Sequence, residues 1–199
     1  HIQTLLKSLH CPATPRVTCW AALTQGVAGD RMTDLAELTA LAKLPDHEVV
    51  GLADGLPLGN LTLVRRLLDY VQPLNVPVTF WPCDRTLTGD GVVREGSTSI
   101  QLGLPGAPAA DETAALAALL ECVAATQTPH HLMRISTARS VALIQDANRR
   151  GLPITASVTW MHLLLHVGAI ATYDPSLRLA PPLGNPEDQQ ALIDGVKTG

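Results

Sequence analysis

The chain has 199 residues, 46% apolar and 16% charged, with a net charge of -4 and a mean hydropathy of +0.18. That length and composition describe one sizeable buried core and exclude a disordered polypeptide. No lysine- or arginine-rich run is present, so neither nucleic acid nor an anionic membrane is an expected partner; small molecules or proteins are.

The opening HIQTLLKSLHC lacks a charged segment followed by a long apolar core, so it reads as a short amphipathic helix and not as a signal peptide. Beyond it, short β-branched runs alternate with longer helical ones. RVTCWAALT is strand-like and MTDLAELTALAKL helical, with Leu35, Leu38, Leu41 and Leu44 at three-residue steps. EVVGLAD leads into the helix NLTLVRRLLDYVQPL. VPVTFWPCD is followed by a Gly-rich connection and the helix ADETAALAALLECVAATQ. HHLMRIST then precedes ARSVALIQDANRRG, and PITASVTW precedes MHLLLHVGAI. The pattern predicts βαβ units: five short apolar strands in a parallel α/β sheet, within a single domain over 1–199. Alternation alone fits an open doubly wound sheet and an arc of a barrel equally.

Pro153 to Tyr173 carries no Asp, Glu, Lys or Arg, yet its proline, hydroxyls and histidines mark a buried strand followed by a buried helix, not a membrane span. The connection from Arg85 to Pro108, RTLTGDGVVREGSTSIQLGLPGAP, is long for a compact domain; a functional loop and a plain surface loop weigh evenly. GLADGLPLGN lacks the GxGxxG spacing, and no GxxxxGK[ST] occurs. Cys11, Cys19, Cys83 and Cys122 show no CxxC pairing, which predicts reduced thiols and a cytoplasmic location.

Six stretches in order resemble the middle of a dihydroorotase, of the cyclic amidohydrolase superfamily. They are ALTQGVAGDRMTDLAEL, VREGSTSIQLGLPGAPAADETAAL, RISTARSVALIQDANRRGLPITASVT, HLLL, YDPSLRLAPPL and EDQQALIDGVKTG. The resemblance, shared in part with allantoinases and hydantoinases, implies a (β/α) barrel of the TIM, metal-dependent hydrolase type. Zinc at the C-terminal strand ends would activate water to open a cyclic amide in pyrimidine synthesis. A full barrel takes roughly 250 residues, so about five of eight units are expected here. The family's HxH pair occurs nowhere in the chain, and its last-strand aspartate would fall after Gly199.

The resemblance also maps the family's site onto this chain. Its HFCHLST strand aligns with HLMRIST, which puts Arg134 at a metal-ligand position and His131 at the start of the strand, so the His130–His131 pair is not read as a metal site. A guanidinium offers no lone pair, and it would repel a dication by about twice the ~4 kcal/mol of a unit pair at short range. Asp84 is the carboxylate expected to pair with it.

HCED reads WPCD, with Trp81 in place of histidine and Asp84 kept at a metal-facing position; Asp84 could equally cap the turn DRTL. Cys83 has no spaced partner. TPHHLLL reads TWMHLLL, which leaves Met161 at a ligand position as apolar filling beside Trp160. His162 and His166 have no HExxH glutamate between them and read as satisfied core histidines. VNPPLR reads LAPPLG, so Ala180 and Gly184 stand at former substrate positions. Lys7, Lys43 and Lys197 lie at no strand end, which removes a carboxylated-lysine bridge.

The expectation is a dihydroorotase-like pseudoenzyme that binds no zinc and acts as a structural or regulatory subunit, with aspartate carbamoyltransferase or a second copy as partner. Three alternatives remain. One is an active cyclic amidohydrolase holding metal through Asp84 and residues outside the chain, and another is an anion-binding barrel using Arg134. The third, a nucleotide-binding doubly wound protein, is separable by strand order.

Overall fold

The computed structural model describes residues 18–34, 37, 40, 49–57 and 59–199. The predicted leading helix and most of the predicted helix over 32–44 lie outside these.

Five parallel strands form the main sheet: β1 (Cys19–Ala21), β2 (Val49–Ala53), β3 (Val78–Phe80), β6 (His130–Leu132) and β7 (Ile154–Ala156), in the order β1-β2-β3-β6-β7. Each predicted strand contains one of them. The order never reverses. A doubly wound sheet needs a reversal, whereas right-handed crossovers stepping one way build an arc of a barrel, so strand order decides the question that alternation left open.

Each main helix has a local reason to start and a face to bury. Helix α1 (Leu61–Val71) is capped by the Asn60 side chain, which accepts from the Leu63 N–H at 3.1 Å. It buries Val64, Leu67, Leu68 and Val71, at helical spacing. Helix α4 (Ala110–Thr126) carries Asp111 and Glu112 in its first turn and buries Leu116, Leu119, Leu120 and Val123. Helix α5 (Ala138–Arg149) is capped by Thr137, and α7 (Pro186–Thr198) starts with Pro186 and an Asn185–Asp188 capping box. The Asp188 carboxylate also accepts from the Ala138 N–H at 2.8 Å, which ties the starts of α5 and α7 together.

Strand register sorts the side chains into two faces. Val78, His130 and Ile154 pair across the sheet and, with Phe80 and Leu132, are buried on the side that packs against the helices. Thr79, His131 and Thr155 form the row on the opposite face. That inner face is polar: His131 Nδ1 lies 2.8 Å from the Thr155 hydroxyl, and its Nε2 lies 3.0 Å from that of Ser157.

Two expectations need correction. The connection over 85–108 is not an irregular loop. It folds as α2 (Arg85–Thr88), β4 (Val93–Arg94), α3 (Ser97–Leu102) and β5 (Gly106–Ala107), with β4 and β5 paired in parallel. Val93 packs there with Val167, Ile170 and Leu183 in a second apolar cluster.

The span from Pro153 to Tyr173 is not a buried strand and helix throughout. Thr155 and Ala156 are exposed on β7, the end strand of the described sheet. Helix α6 (Trp160–Leu164) stops where Leu165 turns extended. His166 then caps a new 3-10 turn by accepting from the Gly168 N–H, which breaks the helix the apolar run predicted. Among the described residues no helix is long and apolar enough to cross a membrane.

The connection is locked down by Arg94, which is 2% exposed. Its Nη1 lies 3.6 Å from Asp111 Oδ1, and its Nη2 donates to the Ser136 hydroxyl at 2.8 Å. Arg94→Met leaves Asp111 buried without a counter-charge and should cost about 3–5 kcal/mol in urea unfolding. Arg65→Met, at the exposed Arg65–Asp69 pair, should change stability by under about 1 kcal/mol in the same assay.

Candidate functional site

Ligands of parallel α/β folds bind at the C-terminal strand ends, and the residues singled out by sequence fall around that rim. Trp81 to Asp84 follow β3. Met133 and Arg134 follow β6, and Ser157 to Met161 follow β7.

Arg134 does not pair with Asp84. Its guanidinium carbon instead lies over the Trp81 ring, 4.7 Å from the centroid, and the two are not within ion-pair distance among the described residues. This cation–π contact attracts the charge without using any N–H donor. Arg134 also takes a left-handed backbone, φ 59°, between two pinned neighbours. Met133 N donates to Phe80 O at 2.9 Å, and Ile135 N donates to Ser157 O at 3.0 Å.

Asp84 caps α2. Its Oδ1 accepts from the Thr86 N–H at 2.8 Å, from the Thr86 hydroxyl and from the Leu87 N–H, while Oδ2 has no such bond among the described residues. The Thr86 hydroxyl first, and then the two backbone N–H groups, hold its carboxyl below the usual range. Cys83 is half-buried 3.5 Å from the Thr88 hydroxyl, and desolvation raises its thiol pKa, so it is not primed as a thiolate.

His162 is the satisfied core histidine that its apolar context predicts. It is 2% exposed, with Nδ1 2.7 Å from the Thr159 hydroxyl and Nε2 3.4 Å from Pro182 O; burial lowers its pKa. Met161 is half-buried outside both apolar clusters, and Trp160 is 66% exposed, so the pair is not interior filling. Ala180 is exposed. Gly184 is buried where an added Cβ would lie 2.6 Å from Asp188 Cβ and 2.9 Å from Ser136 O, so the backbone closes over the space an arginine would need.

Sequence reasoning missed the buried group just behind this rim. The Glu112 carboxylate accepts from Ser136 N at 3.0 Å, Thr137 N at 3.2 Å and both their hydroxyls, which fixes the turn after β6. Asp111 accepts from the Thr88 hydroxyl at 2.8 Å besides facing Arg94. The only signal was the acidic pair opening ADETAAL, which reads equally as an ordinary helix start.

A probable dihydroorotase-like protein of Synechocystis sp. is 44% identical, over 94% of this chain and 44% of its own length. The dihydroorotase of Deinococcus radiodurans is 33% identical, over 100% and 46%. The chain is a homologue of dihydroorotases. It spans about half the length of these relatives. No family model matches. Among solved structures, D-hydantoinase from Bacillus sp. AR9 superposes with a TM-score of 0.71 at 15% identity, over 100% of this chain and 45% of that one. L-hydantoinase from Arthrobacter aurescens gives 0.70 at 13%, over 92% and 41%. These likenesses show the fold alone: a parallel α/β arc like part of the hydantoinase barrel.

The dihydroorotase homologue's rim fits zinc poorly. Trp81 and Arg134 offer no lone pair to a metal, the His162 nitrogens are engaged, and Asp84 keeps one oxygen. Among the described residues no three of His, Cys, Asp and Glu cluster as a metal group.

The histidine pair of β6 is split by the strand's alternation, His130 into the helix-packed core and His131 onto the inner face. His130 is 3% exposed beside Phe80, neither ring nitrogen has a hydrogen-bond partner among the described residues, and burial holds its pKa down to about 3. The unfolded chain, with a value near 6.5, binds a proton that the folded chain refuses. Stability should therefore be complete above about pH 6.5 and decline toward pH 3, by up to about 1.4 kcal/mol per pH unit. His130→Leu should flatten that decline in urea unfolding measured across this window. Gly184→Ala should lower the melting temperature, because Ser136 O and Asp188 must give way.

Proposed function

We propose that this chain is the barrel portion of a dihydroorotase-like protein that does not bind zinc or open a cyclic amide, and that it serves as a structural or regulatory subunit. The observation that carries the reading is the Arg134–Trp81 contact. At a position where the resemblance expects a metal-binding histidine stands Arg134, a permanent cation that rests on the Trp81 indole. A dication there would meet electrostatic repulsion and no donor pair.

The retained surface is then the reason for the fold. Aspartate carbamoyltransferase, or a second copy of the chain, is the partner we propose, within the reducing cytoplasm.

A second reading keeps one supporting observation, the open Oδ2 of Asp84. In it, Asp84 and residues outside this chain hold one metal in an active cyclic amide hydrolase. Elemental analysis of the purified protein beside a dihydroorotate turnover assay separates the two. The pseudoenzyme reading expects neither zinc nor turnover, and stoichiometric zinc with turnover would establish the second. Arg134→His combined with Met161→His should raise bound zinc over the unaltered chain if the lost donors are the obstacle.

A further inference from the structure

We infer that Arg134 is the anchor of a carboxylate-binding site at the barrel rim, in which a small organic acid takes the place left by metal chemistry. The inference goes beyond the subunit role and holds whether or not a protein partner exists.

Arg134 is half-buried, and its guanidinium lies against the Trp81 ring. The fully buried charges near the rim have their opposites or their donors: Arg94 faces Asp111, and Glu112 takes four hydrogen bonds. Half-buried Arg134 has neither a hydrogen bond nor an ion pair among the described residues. Trp81 holds the cation yet leaves all five N–H donors of the fork unspent.

The fork is also preorganised. The hydrogen bonds of Met133 and Ile135 pin the backbone on either side, and the left-handed φ of 59° between them is a conformation that a non-glycine residue adopts at a cost. An arginine on a fixed backbone, braced by an aromatic ring, loses little freedom when it binds. Its planar fork matches the two oxygens of a carboxylate. On the inner face of β6 and β7, His131, Thr155 and Ser157 are linked by hydrogen bonds. Asp84, the nearest carboxylate by sequence reasoning, is turned to its own helix cap and does not compete.

Isothermal titration of the purified protein with succinate, and separately with inorganic phosphate, tests the site. Saturable succinate binding is expected, weakened about tenfold or more by Arg134→Met and less by Arg134→Lys, which keeps the charge and loses the fork. Arg134→Lys also guards against misfolding, because it should retain the parent's circular dichroism. Trp81→Phe should weaken binding only modestly, as the aromatic face remains. Absence of succinate binding, equal affinity in Arg134→Met, or binding of phosphate alone would each overturn the assignment. Because the titration reads neither zinc nor turnover, its failure is distinct from failure of the pseudoenzyme reading.

Discussion

A guanidinium buried to 2% exposure decides how the C-terminal side of this barrel is put together. Burying a charge costs several kcal/mol unless opposite charge and donors or acceptors meet it, so Arg94 imposes positions on whatever surrounds it. Asp111 must stand at the start of its helix, and Ser136 must stand in the turn after β6. Glu112, adjacent to Asp111, grips that same turn. Arg94 thus joins the 85–108 connection, helix α4 and the turn leading into α5. The second apolar cluster around Val93 and Leu183 then closes over it.

At the rim, several polar side chains bond to nearby backbone or neighbouring hydroxyls. Asp84 caps a four-residue helix, His162 bonds Thr159 and Pro182, and His166 starts a 3-10 turn. Such bonds hold side chains in fixed directions, which suits a retained architecture. Gly184 fits the same picture, because the backbone there approaches Ser136 and Asp188 too closely for any side chain. Arg134 departs from it, being fixed in place with its donors open.

Much of the fold was legible because its signals are local. Asn60 before Leu61, Thr137 before Ala138 and the Val64–Leu67–Leu68–Val71 spacing announce helices through neighbouring residues alone. The break after Leu164 was not legible, since the run MHLLLHVGAI carries no proline or charged Asp, Glu, Lys or Arg, and the cap that ends it depends on the His166 rotamer. The exposure of Trp160 and Thr155 likewise follows from where β7 lies in the sheet, not from composition.

By itself the sequence determined the α/β alternation, the five strands, the kinship with dihydroorotases and the replacement of histidines by Trp81, Arg134 and Met161. All of these rest on residue identity and short-range spacing. Only the tertiary structure decided that the strands step one way around an arc, that Arg94 meets Asp111, and that Arg134 rests on Trp81 instead of pairing with Asp84. Those are contacts between residues 17 and 53 positions apart, and only the sheet and its crossovers bring such partners within a few ångströms. No periodicity in the chain encodes that proximity.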